Sequence, residues 1–376
     1  MTGDAHSTDV SAVPFSSNGV RLTPREWLVA AIILAALFCL APPLWKQLEP
    51  FDPGPDYRIP YRLGYDYWMY DRYCGRVASE DRTLLIGDSV VWGHYVEDHE
   101  TLSHYLNELA GEDRFANLGV DGIHPVAMAG LVDYYARPIA VKNVILHCNL
   151  LWMSSPRHDL QTEKEWRFNH AELAPQLYPQ IPCYRESFSR RLGIAIGRRV
   201  PFLGWTRHMR IAYFEGDTLP QWTIDHPYAN PTAAVTLELP SPNEPPSPTP
   251  IAESWTEKRL ARFNPEWVEL ESSFQWRFFR QTIETLQQRG NRVFVVIGPF
   301  NEQMLTPEGS RGYRQMHSQV EAWLKANGVA FYAPPCLPTE DYADASHPLP
   351  EGYALLAKGL WESEAYRAFR SRREDN

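Results

Sequence analysis

Short apolar runs alternate with helical periods along two stretches of this chain, and that alternation limits the fold more than any other feature. Strand-like runs fall at 83–86, 114–118 and 141–147. Between them Leu102, Leu106 and Leu109 recur at helical spacing, and 125–135 reads as a helix. The pattern resumes with a predicted helix over 267–288, a near-continuous apolar strand over 292–297, a helix over 313–326, a strand over 329–332 and a closing helix over 352–361. Strands separated by helices imply an α/β fold with a parallel, doubly wound sheet covered on both faces. At 376 residues, with 44% apolar and 22% charged side chains, the chain has the composition of a globular protein with a substantial core.

Between the two stretches the alternation stops. Residues 151–265 read as an irregular insertion, a cap beside the sheet edge, with many Pro, Trp and Arg. Over 185–210, seven arginines (at 185, 190, 191, 198, 199, 207 and 210) interleave with Phe188, Leu192, Ile194, Ile196, Phe202 and Trp205. Such a mixture suits either an anionic membrane surface or a packed helix with a solvated charged face. Trp152, Trp166 and Trp222 are candidates either to line an acyl or glycan pocket or to fill a core. Residues 239–250 are a Pro-rich low-complexity tract, expected to be extended. Residues 46–80 read as a Pro- and Tyr-rich connector without a clear period.

Ahead of the connector, residues 27–45 run without a charge from Trp27 to Trp45. About 19 residues at 1.5 Å each span roughly 28 Å, close to a bilayer core, and the bracketing tryptophans suit its two interfaces. No A-x-A cleavage signal follows the run, and Phe38 precedes Cys39 where a lipoprotein would need a small residue. The expectation is an uncleaved single-pass anchor. Arg21 and Arg25 before it place the polar tail, 1–26, disordered in the cytoplasm and the body outside.

The formal net charge of −10 argues against nucleic-acid binding. Cys39, Cys74, Cys148, Cys183 and Cys336 contain no CxxC and no zinc spacing. Cys39 sits in the apolar run. The other four either pair in an oxidising compartment or stay free and buried. His94, His99 and His124 have no metal-ligand spacing, and nothing in the chain indicates a cofactor.

Two features carry chemistry. Gly87-Asp88-Ser89 closes the first strand, where a strand-to-helix turn presents a side chain at the carboxyl edge of the sheet. Asp344-Ala-Ser-His347 lies in the loop after the last strand, at the same edge, and a single turn brings its carboxylate to its imidazole. A serine hydroxyl needs an imidazole to take its proton, and the imidazole needs a carboxylate to orient it. Asp88 itself suits a structural role, bonding the turn's own backbone.

Four blocks resemble the SGNH (GDSL) hydrolase family: Gly87-Asp88-Ser89-Val-Val-Trp-Gly93, Asn117-Leu-Gly119-Val-Asp-Gly122, His147-Cys148-Asn149, and Asp344-Ala-Ser-His347-Pro. The resemblance covers about 83–150 and 290–365. It implies a flavodoxin-like three-layer sandwich with a central parallel sheet, the α/β domain comprising 81–150 and 266–370. It also implies Ser89 as nucleophile, His347 as general base and then acid, and Asp344 as the orienting carboxylate. The backbone N–H groups of Ser89 and Gly122 and the side-chain amide of Asn149 would hold the oxyanion, with no metal. The third block departs from the family's usual Gly-x-Asn-Asp, since His147 replaces the Gly and Leu150 the Asp. Asn143 is a rival for the amide role. Preorganised oxyanion donors are worth roughly 3–4 kcal/mol each by mutational precedent.

Three functions are compatible with these residues. One is a membrane-anchored esterase that cleaves an O-acyl ester through an acyl-enzyme at the outer face of the membrane. Another is an O-acetyltransferase of a cell-surface polysaccharide, in which a glycan hydroxyl replaces water. The third is a non-catalytic SGNH-like binding domain.

Overall fold

The structure, a computed structural model, describes residues 22–371. The expected disordered tail therefore lies, up to residue 21, outside the described residues, and its last residues belong to the first helix. The chain divides into two compact units, 1–47 and 48–376.

In the first unit, α1 (Pro24–Leu48) is a 25-residue helix. Thr23 and Glu26 cap it reciprocally, Glu26 N donating to Thr23 Oγ1 and Thr23 N to Glu26 Oε2. The helix runs through Pro42 and Pro43, forgoing the bonds their missing N–H groups would make. Trp27, Leu28, Ile32, Ile33, Leu34 and Leu37 are all exposed. By length and composition, this helix suffices to cross a membrane.

The second unit begins with a segment that the sequence presents as a connector. It contains α2 (Tyr67–Ala78), capped by the Asp66 side chain, which accepts from Met69 N. Seven of its twelve residues are buried, and those at 70, 73, 74 and 77 alternate with Asp71, Arg72 and Arg76 outside the core, the period of an amphipathic helix. Then follow β1 (Thr83–Gly87), α3 (Ser89–Trp92), α4 (Leu102–Ala110), β2 (Phe115–Gly119), α5 (Pro125–Tyr135) and β3 (Asn143–Cys148).

The insertion is less irregular than expected. It holds α6 (Phe188–Gly197), α7 (Pro201–Tyr213), α8 (Leu219–Asp225) and α9 (Pro231–Ala234). Side chains of Ser187, Thr218 and Asn230 cap three of these, and Pro201 opens the fourth. No residue of α6 is buried, and Phe188, Leu192 and Ile196 stand exposed at i, i+4, i+8. Trp222 is buried against Phe214 and His226, so it serves packing. Trp166 packs partly buried on the cluster of Val126, Leu160, Ile181 and Phe278. The 239–250 tract, expected to be extended, holds no helix but turns at 242–243 and bends at 247–248; its Pro242 carbonyl accepts from Arg58 Nε.

The fold closes with α10 (Phe274–Gln288), β4 (Arg292–Ile297), α11 (Pro307–Ala326), β5 (Ala330–Tyr332), α12 (Pro350–Glu362) and α13 (Glu364–Ser371). α10 starts at Phe274 rather than 267 because the Ser273 hydroxyl accepts from Trp276 N, while Trp267 is committed to the carbonyl of Gly309. α11 starts earlier than expected, at the Thr306 cap and Pro307.

Among the described residues the five strands form one parallel sheet in the order β2-β1-β3-β4-β5. Leu85, Ile145 and Phe294 share a register across it and pack under α4, α12 and α13 with Leu106, Tyr353, Leu356 and Phe369. The side chains alternate by the two-residue strand period, so Leu84, Ile86, Val144, Leu146, Val293 and Val295, all buried, serve the opposite face. Burying each such Leu, Ile or Val contributes about 1.5–3 kcal/mol. The chain order reverses between β1 and β3, and in sheets of this order the crevice at the carboxyl ends of those strands is where ligands bind. All five cysteines are free; Cys74, Cys148 and Cys183 are buried, Cys39 and Cys336 exposed.

One buried polar cluster ties the segment after α1 to the insertion. His208 on α7 has no exposed surface; its Nδ1 lies 2.6 Å from Asp66 Oδ2 and its Nε2 2.8 Å from Glu49 Oε1. Arg72 and the Tyr213 hydroxyl also bond Glu49. A neutral imidazole has one N–H, so two carboxylate partners require the cation. Burial opposes that charge, but Asp66 and Glu49 outweigh it and raise the imidazole to about 9.

Candidate active site

The carboxyl ends of β1, β2 and β3 converge on Ser89. Gly87 ends β1 where a Cβ would lie 2.3 Å from Val91 Cγ2 and 2.8 Å from His147 Cβ, so only glycine fits. Asp88 caps α3 through Val90 N, 3.0 Å, the local role its position implies. Ser89 is therefore the first residue of a short helix, and its backbone N–H has no partner among the described residues. Three bonds from other elements hold α3 in place. The Tyr353 hydroxyl donates to Val90 O at 2.6 Å, Asn117 Nδ2 to Val91 O at 2.8 Å, and Arg58 Nη1 to Trp92 O at 3.0 Å.

His347 meets this turn from the loop before α12. Its Nε2 lies 2.8 Å from Ser89 Oγ, and its Nδ1 lies 2.8 Å from both oxygens of Asp344. The Asp344 Oδ1 also accepts from the backbone N–H of Ser346 (2.9 Å) and of His347 (3.0 Å). Burial alone would raise the Asp344 carboxyl, but His347 and these N–H donors hold it well below the usual carboxylate range. For His347, burial works against the cation, yet Asp344 prevails and the imidazole is raised above its ordinary value, with Asp88 and Asp121 adding to the effect. With Nδ1 donating to the carboxylate, Nε2 is free to accept the serine proton.

The expected oxyanion donors lie around the same turn. Gly122 follows β2 with φ +69, and like Ser89 its N–H is unpartnered among the described residues. A Cβ there would sit 2.6 Å from Asn169 Nδ2, a side chain of the insertion. Asn149 follows β3; its Oδ1 accepts from Leu151 N and its Nδ2 donates to Asp88 Oδ2 at 2.8 Å, leaving one amide hydrogen uncommitted. Its rival Asn143 lies at the opposite, amino end of β3 and accepts from Arg292.

Asp88 thus organises more than its own turn. Its Oδ2 also accepts from Trp152 Nε1 at 2.9 Å, and His147 Nδ1 lies 3.0 Å from its Oδ1. Burial opposes its charge, but His147 and the bonds from Trp152 and Asn149 pull the carboxyl down to about 2. The His147 that stands in place of a glycine therefore contributes to holding Asp88 ionised.

Sequence reasoning missed several neighbours, because each is brought to the site by tertiary packing. Tyr95 OH donates to Asp344 Oδ2 at 3.3 Å, and Lys258 Nζ, from the insertion, lies 3.9 Å from the Tyr95 ring centre. His94 pairs with Asp121. Of the other two histidines near the motif, His99 is exposed beside Asp98, and His124 is buried as the cap of α5. A cleft of about 540 Å³ between Tyr67, Tyr135, α6 and α7 contains none of these site residues.

No protein-family model matches this chain, and no curated protein matches it in sequence.

Proposed function

We propose that this chain is a serine esterase of the SGNH type, anchored in a membrane by α1, with its body on the outer face. The observation that carries the reading is the 2.8 Å approach of His347 Nε2 to Ser89 Oγ, with Asp344 on the other ring nitrogen. Ser89 Oγ attacks the acyl carbon while His347 takes its proton. The tetrahedral oxygen is received by the N–H groups of Ser89 and Gly122 and the free amide hydrogen of Asn149. His347 then protonates the departing alcohol, leaving Ser89 acylated, and activates a water that releases the acid. No metal or cofactor enters the scheme.

The insertion favours a second reading, O-acetyl transfer to a glycan. Asn169 lies against the oxyanion turn, and a cover that excludes water lets an acceptor hydroxyl replace it. Incubating the full-length chain with an activated acetyl ester, with and without a glycan acceptor, separates the two. Acetylated acceptor supports transfer; free acetate unaffected by the acceptor supports hydrolysis. A fluorophosphonate probe tests the common core. It is expected to label the wild-type chain and not Ser89→Ala; a folded wild-type chain left unlabelled would point to a binding domain. Retention in the membrane fraction after an alkaline carbonate wash is the outcome expected of the anchor.

A further inference from the structure

Beside the Ser89 centre lies a second imidazole–carboxylate pair that the scheme does not use. His94 Nδ1 is 2.6 Å from Asp121 Oδ1. Its two halves come from the elements that supply the nucleophile and the oxyanion turn. The His94 backbone N–H donates to Ser89 O at 3.1 Å, and Asp121 immediately precedes Gly122. Both are held firmly. The Asp121 carbonyl accepts from His170 Nε2 at 2.9 Å, and His170 Nδ1 in turn lies 3.0 Å from the Tyr67 hydroxyl. The His94 ring packs beside both Tyr95 and His347, with centroids 4.9 and 5.6 Å away.

Its chemistry follows from the pairing. In the neutral ring with Nδ1–H donating to the carboxylate, Nε2 carries the lone pair and accepts. Among the described residues Nε2 has no partner. The ring is 24% exposed and Asp121 18%, so the pair can be reached from solvent. Its arrangement repeats that of His347 on Asp344, with the two rings 5.6 Å apart. An acceptor nitrogen on a ring beside His347 suits a neighbouring hydroxyl of the substrate, not the ester oxygen itself.

Resting on the reading of Ser89 as nucleophile, we infer that the His94–Asp121 pair is a specificity site that accepts a hydrogen bond from a second hydroxyl on the alcohol part of the ester. The preferred substrate is then a partial ester of a diol or polyol, not the ester of a simple alcohol. His94 moves no proton in the acyl transfer; it seats the alcohol so that the acyl carbon faces Ser89.

The test uses the full chain in detergent and two acetates of similar ring size, cyclohexyl acetate and a mono-O-acetyl hexopyranoside. The wild-type chain is expected to prefer the sugar ester in kcat/KM. His94→Phe keeps the ring packing and removes the nitrogens. It is expected to lower kcat/KM on the sugar ester about 10- to 100-fold more than on cyclohexyl acetate, the range for losing one hydrogen bond to a substrate hydroxyl. Asp121→Asn, which alters less of the packing, should narrow the preference in the same direction. Equal losses on both esters would overturn the inference and make the pair a brace for the oxyanion turn, as would a sugar preference that survives both variants. Fluorophosphonate labelling of the wild-type chain is read separately. Labelling without a hydroxyl-dependent preference defeats only this inference, whereas absence of labelling defeats the esterase reading and this inference with it.

Discussion

A carboxylate that shares both its oxygens with one imidazole nitrogen gives that ring a direction and a charge preference. For His347 the consequence is a measurable pH dependence. The ring must be neutral to accept the Ser89 proton, and Asp344 raises it above the ordinary 6.5. Activity is therefore expected to be lost as the pH falls through a value higher than 6.5, read as the acid limb of kcat/KM. Asp344→Asn removes both influences. It should move that limb downward and lower kcat by about 10³- to 10⁴-fold, the scale seen for the equivalent change in a serine protease. Asp88 acts at the same scale without touching substrate. Asp88→Ala leaves the Asn149 amide and the Trp152 indole N–H without their acceptor in a buried setting. A stability loss of about 1–3 kcal/mol is expected in denaturant titration, together with a fall in kcat as Asn149 loses its orientation.

At the level of elements, the turn after β2 is the most exacting part of the site. Its Gly122 has a left-handed φ of +69 and faces Asn169. Gly122→Ala should cost about 1 kcal/mol of stability for the backbone alone. It should also lower kcat by tenfold or more if the N–H there receives the oxyanion, measured against the thermal midpoint of the same variant. Which elements were legible in the sequence follows from local signals. β4 and α5 match their expected bounds to the residue, α5 because Pro125 fixes the first helical position. α2 does carry a local signal, since its buried residues at 70, 73, 74 and 77 alternate with Asp71, Arg72 and Arg76 at helical spacing, within a segment that otherwise reads as a connector. α6 falls in the 185–210 stretch, where the sequence allows a helix with a solvated charged face, and it buries no residue. The same logic applies to the site. Ser89, Asp344 and His347 could be read because each stands in a local motif beside a strand end. His94 with Asp121, Trp152 with Asp88 and Asn169 beside Gly122 pair residues from separate segments, and no spacing along the chain marks such a meeting.

For the body as a whole, the His208 cluster joins the segment that follows α1, the α2 region and the insertion in one buried charge set, with Glu49, Asp66, Arg72 and Tyr213 all facing it. A group whose folded value is raised stabilises the fold below its unfolded value and loses that contribution as the pH climbs through the folded one. For His208 the window runs from about 6.5 to about 9. The thermal midpoint of the full chain should fall across this window, and His208→Gln should lower the midpoint throughout while flattening the slope. The triad has a longer reach still, because 258 positions separate Ser89 from His347. A polypeptide emerging from the ribosome, or threading outward through a translocation pore, displays its hydroxyl long before its base exists. On the esterase reading proposed above, ester cleavage would be withheld until the last loop and helices are made, and a truncated product lacking them is expected to stay inert however well its first strands assemble.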